Sequence, residues 1–276
     1  MKSISGETGM NGTASGVATS TDGVPIAWSR QGDGQAIVMI SCVMASRAAG
    51  PQLSLPGALA QQHTVLTYDR RGTGHSGSSA DYSVEREFDD LTMIMEIAGP
   101  GAAVYGFSSG ATLALLAAAH GVEISQLLLL EPPLVPDPSS GPLEEARRRL
   151  SLDRADARRW FDESVTGIPA RVRAQFPPLS DADLANAPAM LHELTFLPGT
   201  DAARFADLRR PTLLMASQRT APYLIECARA LAEAIPGSQL RLLPGGWHGV
   251  DDDTLVAAIH DFEIDQDRRR AVQVPQ

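Results

Sequence analysis

The chain has 276 residues, of which 43% are hydrophobic, and its 23 Lys and Arg against 33 Asp and Glu give a net charge of -10. That length fits one large domain or two small ones, and the apolar content is too high for a disordered chain. The acidic balance argues against nucleic acid or an anionic membrane as partner, and Cys42 and Cys227 alone make neither a disulfide framework nor a zinc-site spacing.

The opening segment MKSISGETGMNGTASG has one Lys and no apolar stretch, so it does not resemble a signal peptide. Its Gly, Ser, Thr and Asn content predicts a flexible tail over residues 1–15. No apolar run approaches the roughly 18–20 residues of a membrane span, which predicts a cytoplasmic protein. Residues 16–20 and 24–30 flank Asp22-Gly23, a hairpin turn pair. Continuous apolar runs at 36–42 and 64–68 predict strands buried on both faces. A helix fits 83–98, where Val84, Phe88, Leu91, Met95 and Ala98 form one apolar stripe. A strand at 102–105 then leads directly into a helix that ends near His120-Gly121, and residues 126–130 (QLLLL) predict the next strand, closed by Glu131-Pro132-Pro133.

The texture changes over residues 136–205, which are rich in Arg, Asp, Ala and Pro and carry helix-like pieces near 143–150, 153–165 and 181–193. Alternation resumes with a strand at 212–216, a helix at 222–235, a strand at 239–243 and a helix at 252–262. Strands alternating with helices predict an α/β fold with a mostly parallel sheet covered by helices on both faces. Its core is expected over 16–135 and 206–276, with 136–205 inserted as a helical cap.

In such a sheet ligands sit beyond the carboxyl ends of the strands. After the strand at 102–105 comes Gly106-Phe107-Ser108-Ser109-Gly110, a G-x-S-x-G pattern. A nucleophilic serine on a tight strand-to-helix turn takes a strained backbone, and only small residues two positions either side avoid a clash. The symmetric glycines put Ser108 at the centre. Ser109 is expected to offer its backbone N–H, at a helix N-terminus, to a developing oxyanion. A nucleophilic serine needs a general base, and His248, on the glycine-rich loop after the strand at 239–243, falls at the same sheet edge. His63, His75, His120, His192 and His260 are expected to be structural. Cys42 is expected to be a small core hydrophobe.

With Ser108 and His248 in this order, the sequence resembles the α/β-hydrolase family. YDRRGTGHS (residues 68–76) resembles that family's loop after its fourth strand, and PTLLMA (211–216) the strand before its usual acid. The resemblance runs from about residue 22 to 263 and includes a helical cap at the family's insertion point. It implies a Ser108–His248 hydrolase of esterase, thioesterase or lactonase type with a small apolar substrate and no cofactor or metal. Trp160, Phe161, Phe176 and Phe196 are candidates either to line the pocket or to pack the cap helices together.

Two departures stand out. Where the family has His-Gly after its third strand, this chain has Ser41-Cys42-Val43, so the second oxyanion donor is expected to be the amide of Val43 (or Met44). The family's usual acid should fall near position 220, and Met215–Thr220 holds no carboxylate. Some members of the fold take the acid from the end of the preceding strand, which here is Glu131; otherwise Glu131 merely ends a strand and bonds nearby backbone. The order Ser108…Glu131…His248 fits the fold's order of nucleophile, acid and base. The departures also keep open a non-hydrolytic biosynthetic tailoring protein on the same fold, such as a cyclase, dehydratase or ligand-binding member.

Overall fold

The apolar runs become the middle strands of one sheet because both of their faces are covered. In the computed structural model, which describes residues 4–8, 13–139 and 141–273, the strands are β1 (Ile4–Thr8), β2 (Ala14–Thr19), β3 (Pro25–Gln31), β4 (Ala36–Ile40), β5 (Thr64–Tyr68), β6 (Ala103–Phe107), β7 (Leu127–Leu130), β8 (Thr212–Ser217) and β9 (Gln239–Leu243). They run in the order β1-β2-β3-β5-β4-β6-β7-β8-β9. β1, β2, β3 and β5 pair antiparallel, and the pairs from β5 through β4 to β9 are parallel.

The helices are α1 (Leu55–Leu59), α2 (Val84–Ala98), α3 (Ser109–His120), α4 (Gly141–Leu150), α5 (Arg154–Trp160), α6 (Ala170–Arg173), α7 (Asp181–Asn186), α8 (Met190–Phe196), α9 (Pro222–Ala234) and α10 (Asp252–Gln273). Along β4 the side chains alternate between two cores, as a pleated strand requires. Val38 and Ile40 pack with Phe88, Leu91 and Met95 of α2 and Leu113 of α3. Ile37 and Met39 pack with Leu55 and Leu59 of α1 and Ile259 and Phe262 of α10. The apolar stripe of α2 is therefore core, as its spacing implies.

Between β7 and β8 the described residues form helices α4 to α8 with no strand. This segment has an apolar cluster of its own, built from Ala146, Ala157, Phe161, Ala187, Met190 and Leu194. Among the described residues, no helix is long and apolar enough to cross a membrane.

Local composition misses two features. Residues 4–8 lie in the expected tail, yet they form β1, paired in register from Ile4 with Ala18 to Thr8 with Ala14. An edge strand is added through main-chain hydrogen bonds, which every residue type can make, so composition does not reveal it. Residues 1–3 and 9–12 of the expected tail lie outside the described residues. The last helix also continues past the expected residue 262 to Gln273.

Candidate active site

The turn from β6 into α3 shows why the G-x-S-x-G spacing is required. Ser108 adopts φ 54° and ψ -126°, a conformation that side chains rarely take. A Cβ on Gly106 would lie 2.5 Å from Ala111 Cα, and one on Gly110 would lie 2.5 Å from the Ile40 carbonyl oxygen. Both glycines are therefore needed for close approach. The Ser108 amide donates to the Leu130 carbonyl at 2.8 Å, which ties the turn to β7 and leaves the side chain half-buried at the sheet edge.

Glu131 follows β7 directly and is completely buried. Its carboxylate accepts from the Ser217 amide at 2.7 Å and from the Thr220 hydroxyl at 2.9 Å, and it contacts His248 Nδ1. Thr220 stands where the fold's usual acid is expected, and its hydroxyl holds the Glu131 carboxylate. It also accepts from the His248 amide at 3.4 Å. Ser217 ties the same region together through its hydroxyl, which donates to the Gly246 carbonyl of the His248 loop. Neither Thr220 nor Ser217 was singled out as a site residue by sequence. The available signal was the missing carboxylate at 220.

The His248 ring lies 4.6 Å, centroid to centroid, from the ring of Phe107, the neighbour of Ser108, and 5.3 Å from that of Trp247. Five non-glycine residues among those described have positive φ: Met44, Gln52, Ser108, Glu131 and His248. Such conformations cost about 1–3 kcal/mol each and cluster at functional sites. Ser108, Glu131 and His248 reach this one sheet edge from three different strands.

The loop after β4 differs from expectation. The Val43 amide, expected to face a reacting carbonyl, donates instead to Ser109 Oγ at 2.9 Å. Ser109 Oγ in turn donates to Glu193 Oε1 of α8 at 3.2 Å. The reason is the polar second serine of the elbow, which places an acceptor beneath the loop. Cys42 is buried, and burial pushes its thiol up to about 12, leaving it a neutral core group.

Behind Ser109 lies a buried charge cluster. Arg70 donates to both oxygens of Glu87 and to Glu193 Oε1. Burial works to raise the Glu87 carboxyl, but the Arg70 guanidinium outweighs it and holds Glu87 below the usual carboxylate range. For Glu193, burial prevails over Arg70 and moves the carboxyl up. Beside them His192 stacks on Tyr82 at 3.9 Å, and burial pushes it down to about 4. Arg71 pairs with Asp90 and Asp22, bracing the loop after β5.

The remaining histidines are accounted for elsewhere. His63 bonds the Leu59 carbonyl and Glu263, His120 packs on Phe88, and His75 and His260 are exposed. Of the candidate lining aromatics, Phe161 is buried in the cluster of the helical segment and Phe196 in the core beneath α2, while Trp160 packs beside Phe161 and Phe176 is exposed. Packing, not lining, is the role of Phe161 and Phe196. A cavity of about 520 Å³ on the α1 face is lined by Cys42 and Phe107 but by none of Ser108, Glu131 and His248, so it lies behind the elbow.

The profile of the Alpha/beta hydrolase family matches residues 43–259. The chain belongs to the alpha/beta hydrolase family. It is thus a hydrolase by family, with the fold that the motifs of residues 68–76 and 106–110 suggest. Among curated proteins it is 28% identical over 244 residues to the "Putative carbamate hydrolase RutD" of Klebsiella pneumoniae, covering 83% of this chain and 91% of that one. Among solved structures, an alpha/beta hydrolase from Sphaerobacter thermophilus superposes with a TM-score of 0.81 at 33% identity, over 90% of this chain and 99% of that one. The enol-lactonase from Burkholderia xenovorans shares the fold, with a TM-score of 0.65 at 20% identity over 90% of this chain and 99% of that one.

Proposed function

We propose that this hydrolase cleaves an ester, thioester or lactone of a small apolar substrate through an acyl-enzyme on Ser108. The observation that carries the reading is the contact between His248 Nδ1 and the buried Glu131 carboxylate, at the sheet edge where Ser108 sits in its strained turn. A carboxylate on Nδ1 selects the tautomer whose Nε2 is free to accept a proton.

In this mechanism His248 takes the proton of Ser108 as Oγ attacks the carbonyl, then gives it to the leaving group as that bond breaks. Water attacks the acyl-enzyme by the same route in reverse, returning Ser108 and releasing the acid. Glu131 stabilises the imidazolium formed at each stage. The Ser109 amide, at the N-terminus of α3, is one oxyanion donor. With the Val43 amide engaged by Ser109 Oγ, the second donor is the amide of Met44, which follows it with φ 58°. One such donor is worth about 3–4 kcal/mol, or roughly 100–1000-fold in rate.

The helical segment 136–205 serves as a cap over this edge. A carbamate carbonyl, suggested by the name of the curated relatives, would be attacked in the same way and belongs among the first substrates to assay. The test is treatment with a fluorophosphonate. A covalent adduct on Ser108, lost in Ser108→Ala together with p-nitrophenyl ester hydrolysis, is the expected result. No adduct, or unchanged hydrolysis in Ser108→Ala, would overturn the reading in favour of a non-hydrolytic role.

A further inference from the structure

The helical segment does more than lie over the site: it holds the loop after β4 through two direct contacts and a third relayed by Ser109. Met44 is buried within the segment's own apolar cluster, against residues such as Phe161, Met190 and Leu194. Asn186 of α7 donates from Nδ2 to the Met44 carbonyl at 3.1 Å, and its Oδ1 accepts from the Gly74 amide at 3.0 Å. Glu193 of α8 accepts from Ser109 Oγ, which accepts from the Val43 amide. The amide between these anchors is that of Met44. The Ala45 amide closes a turn on the Cys42 carbonyl at 3.2 Å, and within it one bond holds the backbone just before the Met44 amide, to Ser109 braced by Glu193, and another just after it, to Asn186, so the cap helps to set the direction of that amide.

We infer that Asn186 and Glu193 are positioning residues that set the Met44 amide, so that this hydrolase forms its oxyanion hole only with the cap seated. The inference rests on the serine-hydrolase reading for its catalytic consequence, but the structural coupling stands apart from it. This chain has no His-Gly there, and the Cys42–Ala45 turn is held against the fold by the Ser109–Glu193 bond and by Asn186. Arg70 keeps Glu193 in place and remains matched by Glu87 when Glu193 is neutralised.

The experiment compares Asn186→Asp, which keeps the acceptor for Gly74 but loses the donor to Met44, with Glu193→Ala and Glu193→Gln. Thr195→Ala, at an exposed position of α8, is the control. Hydrogen exchange of the peptide spanning residues 41–46 is read beside kcat and KM on a p-nitrophenyl ester.

Asn186→Asp and Glu193→Ala are expected to lose protection in that peptide and to lower kcat by about 10- to 100-fold, short of the roughly 100–1000-fold for a whole donor, with KM within about threefold. Glu193→Gln, which still accepts from Ser109, should restore most of the protection and the rate. Protection unchanged in Asn186→Asp, or a loss expressed in KM alone, would overturn the inference. If Glu193→Ala fails to fold, Asn186→Asp and Glu193→Gln still decide it. If the wild type takes no fluorophosphonate label, the hydrolase reading fails, and the exchange comparison still decides whether the cap holds the loop.

Discussion

Glu131 and Glu193 are two glutamates with 0% and 1% exposure, and their surroundings make them different tools. Glu193 meets a permanent cation, Arg70, which it shares with Glu87, so its partner stays charged whatever happens at Ser108. Glu131 meets an amide, a hydroxyl and a histidine, groups that hold a carboxylate in place without neutralising it. A buried charge so arranged gains most when its histidine becomes an imidazolium. Burial alone therefore does not single out a candidate catalytic carboxylate; the nature of its partners makes Glu131 the one proposed.

The sharpest way to break this contrast is Glu131→Gln. It should lower kcat by about 1,000–10,000-fold, as expected for losing the group that orients and charges a triad histidine. Glu193→Gln should stay within about tenfold, so equal losses in ester hydrolysis would erase the distinction. Next in size is Arg70→Met, which strips the cation from Glu87 and Glu193 at once. Breaking a buried pair from one side costs about 3–5 kcal/mol, to be read as a lower urea midpoint.

The same contrast extends to the histidines. His192, stacked on Tyr82, is pushed down by burial to about 4, below the ordinary 6.5 of the unfolded chain. The unfolded state then binds the extra proton between these values. The contribution of His192 is thus fully present above about pH 6.5 and is lost as pH falls toward 4, by about 1.4 kcal/mol per pH unit at most. Urea midpoints measured from pH 4 to 7 should vary less with pH in His192→Gln than in the wild type. The smallest effect is Thr220→Val, which removes one donor to Glu131. It should cost about 1 kcal/mol, near fivefold in kcat, far less than Glu131→Gln.

Sequence went furthest where the rule is local. The elbow was legible because sterics two residues either side of Ser108 demand glycine, and contact distances at Gly106 and Gly110 give the reason. The order of Ser108, Glu131 and His248 along the chain pointed to the residues that the fold brings to one sheet edge. Thr220 was legible only as a gap, since nothing local says that a hydroxyl there faces a carboxylate 89 residues earlier. The Val43 amide was misassigned because the acceptor that claims it, Ser109 Oγ, is 66 residues away.

The sequence by itself thus determined the alternation of strands and helices, the elbow and the candidate nucleophile, because periodicity and backbone sterics act over a few residues. Only the tertiary structure decided which partner each buried polar group found. Arg70 meets Glu193 across 123 residues, and Asn186 meets Met44 across 142. β1 joined the sheet through main-chain bonds that its side chains do not advertise. A buried charge or amide must be satisfied by whatever the fold sets beside it, and that neighbour is chosen in space rather than along the chain.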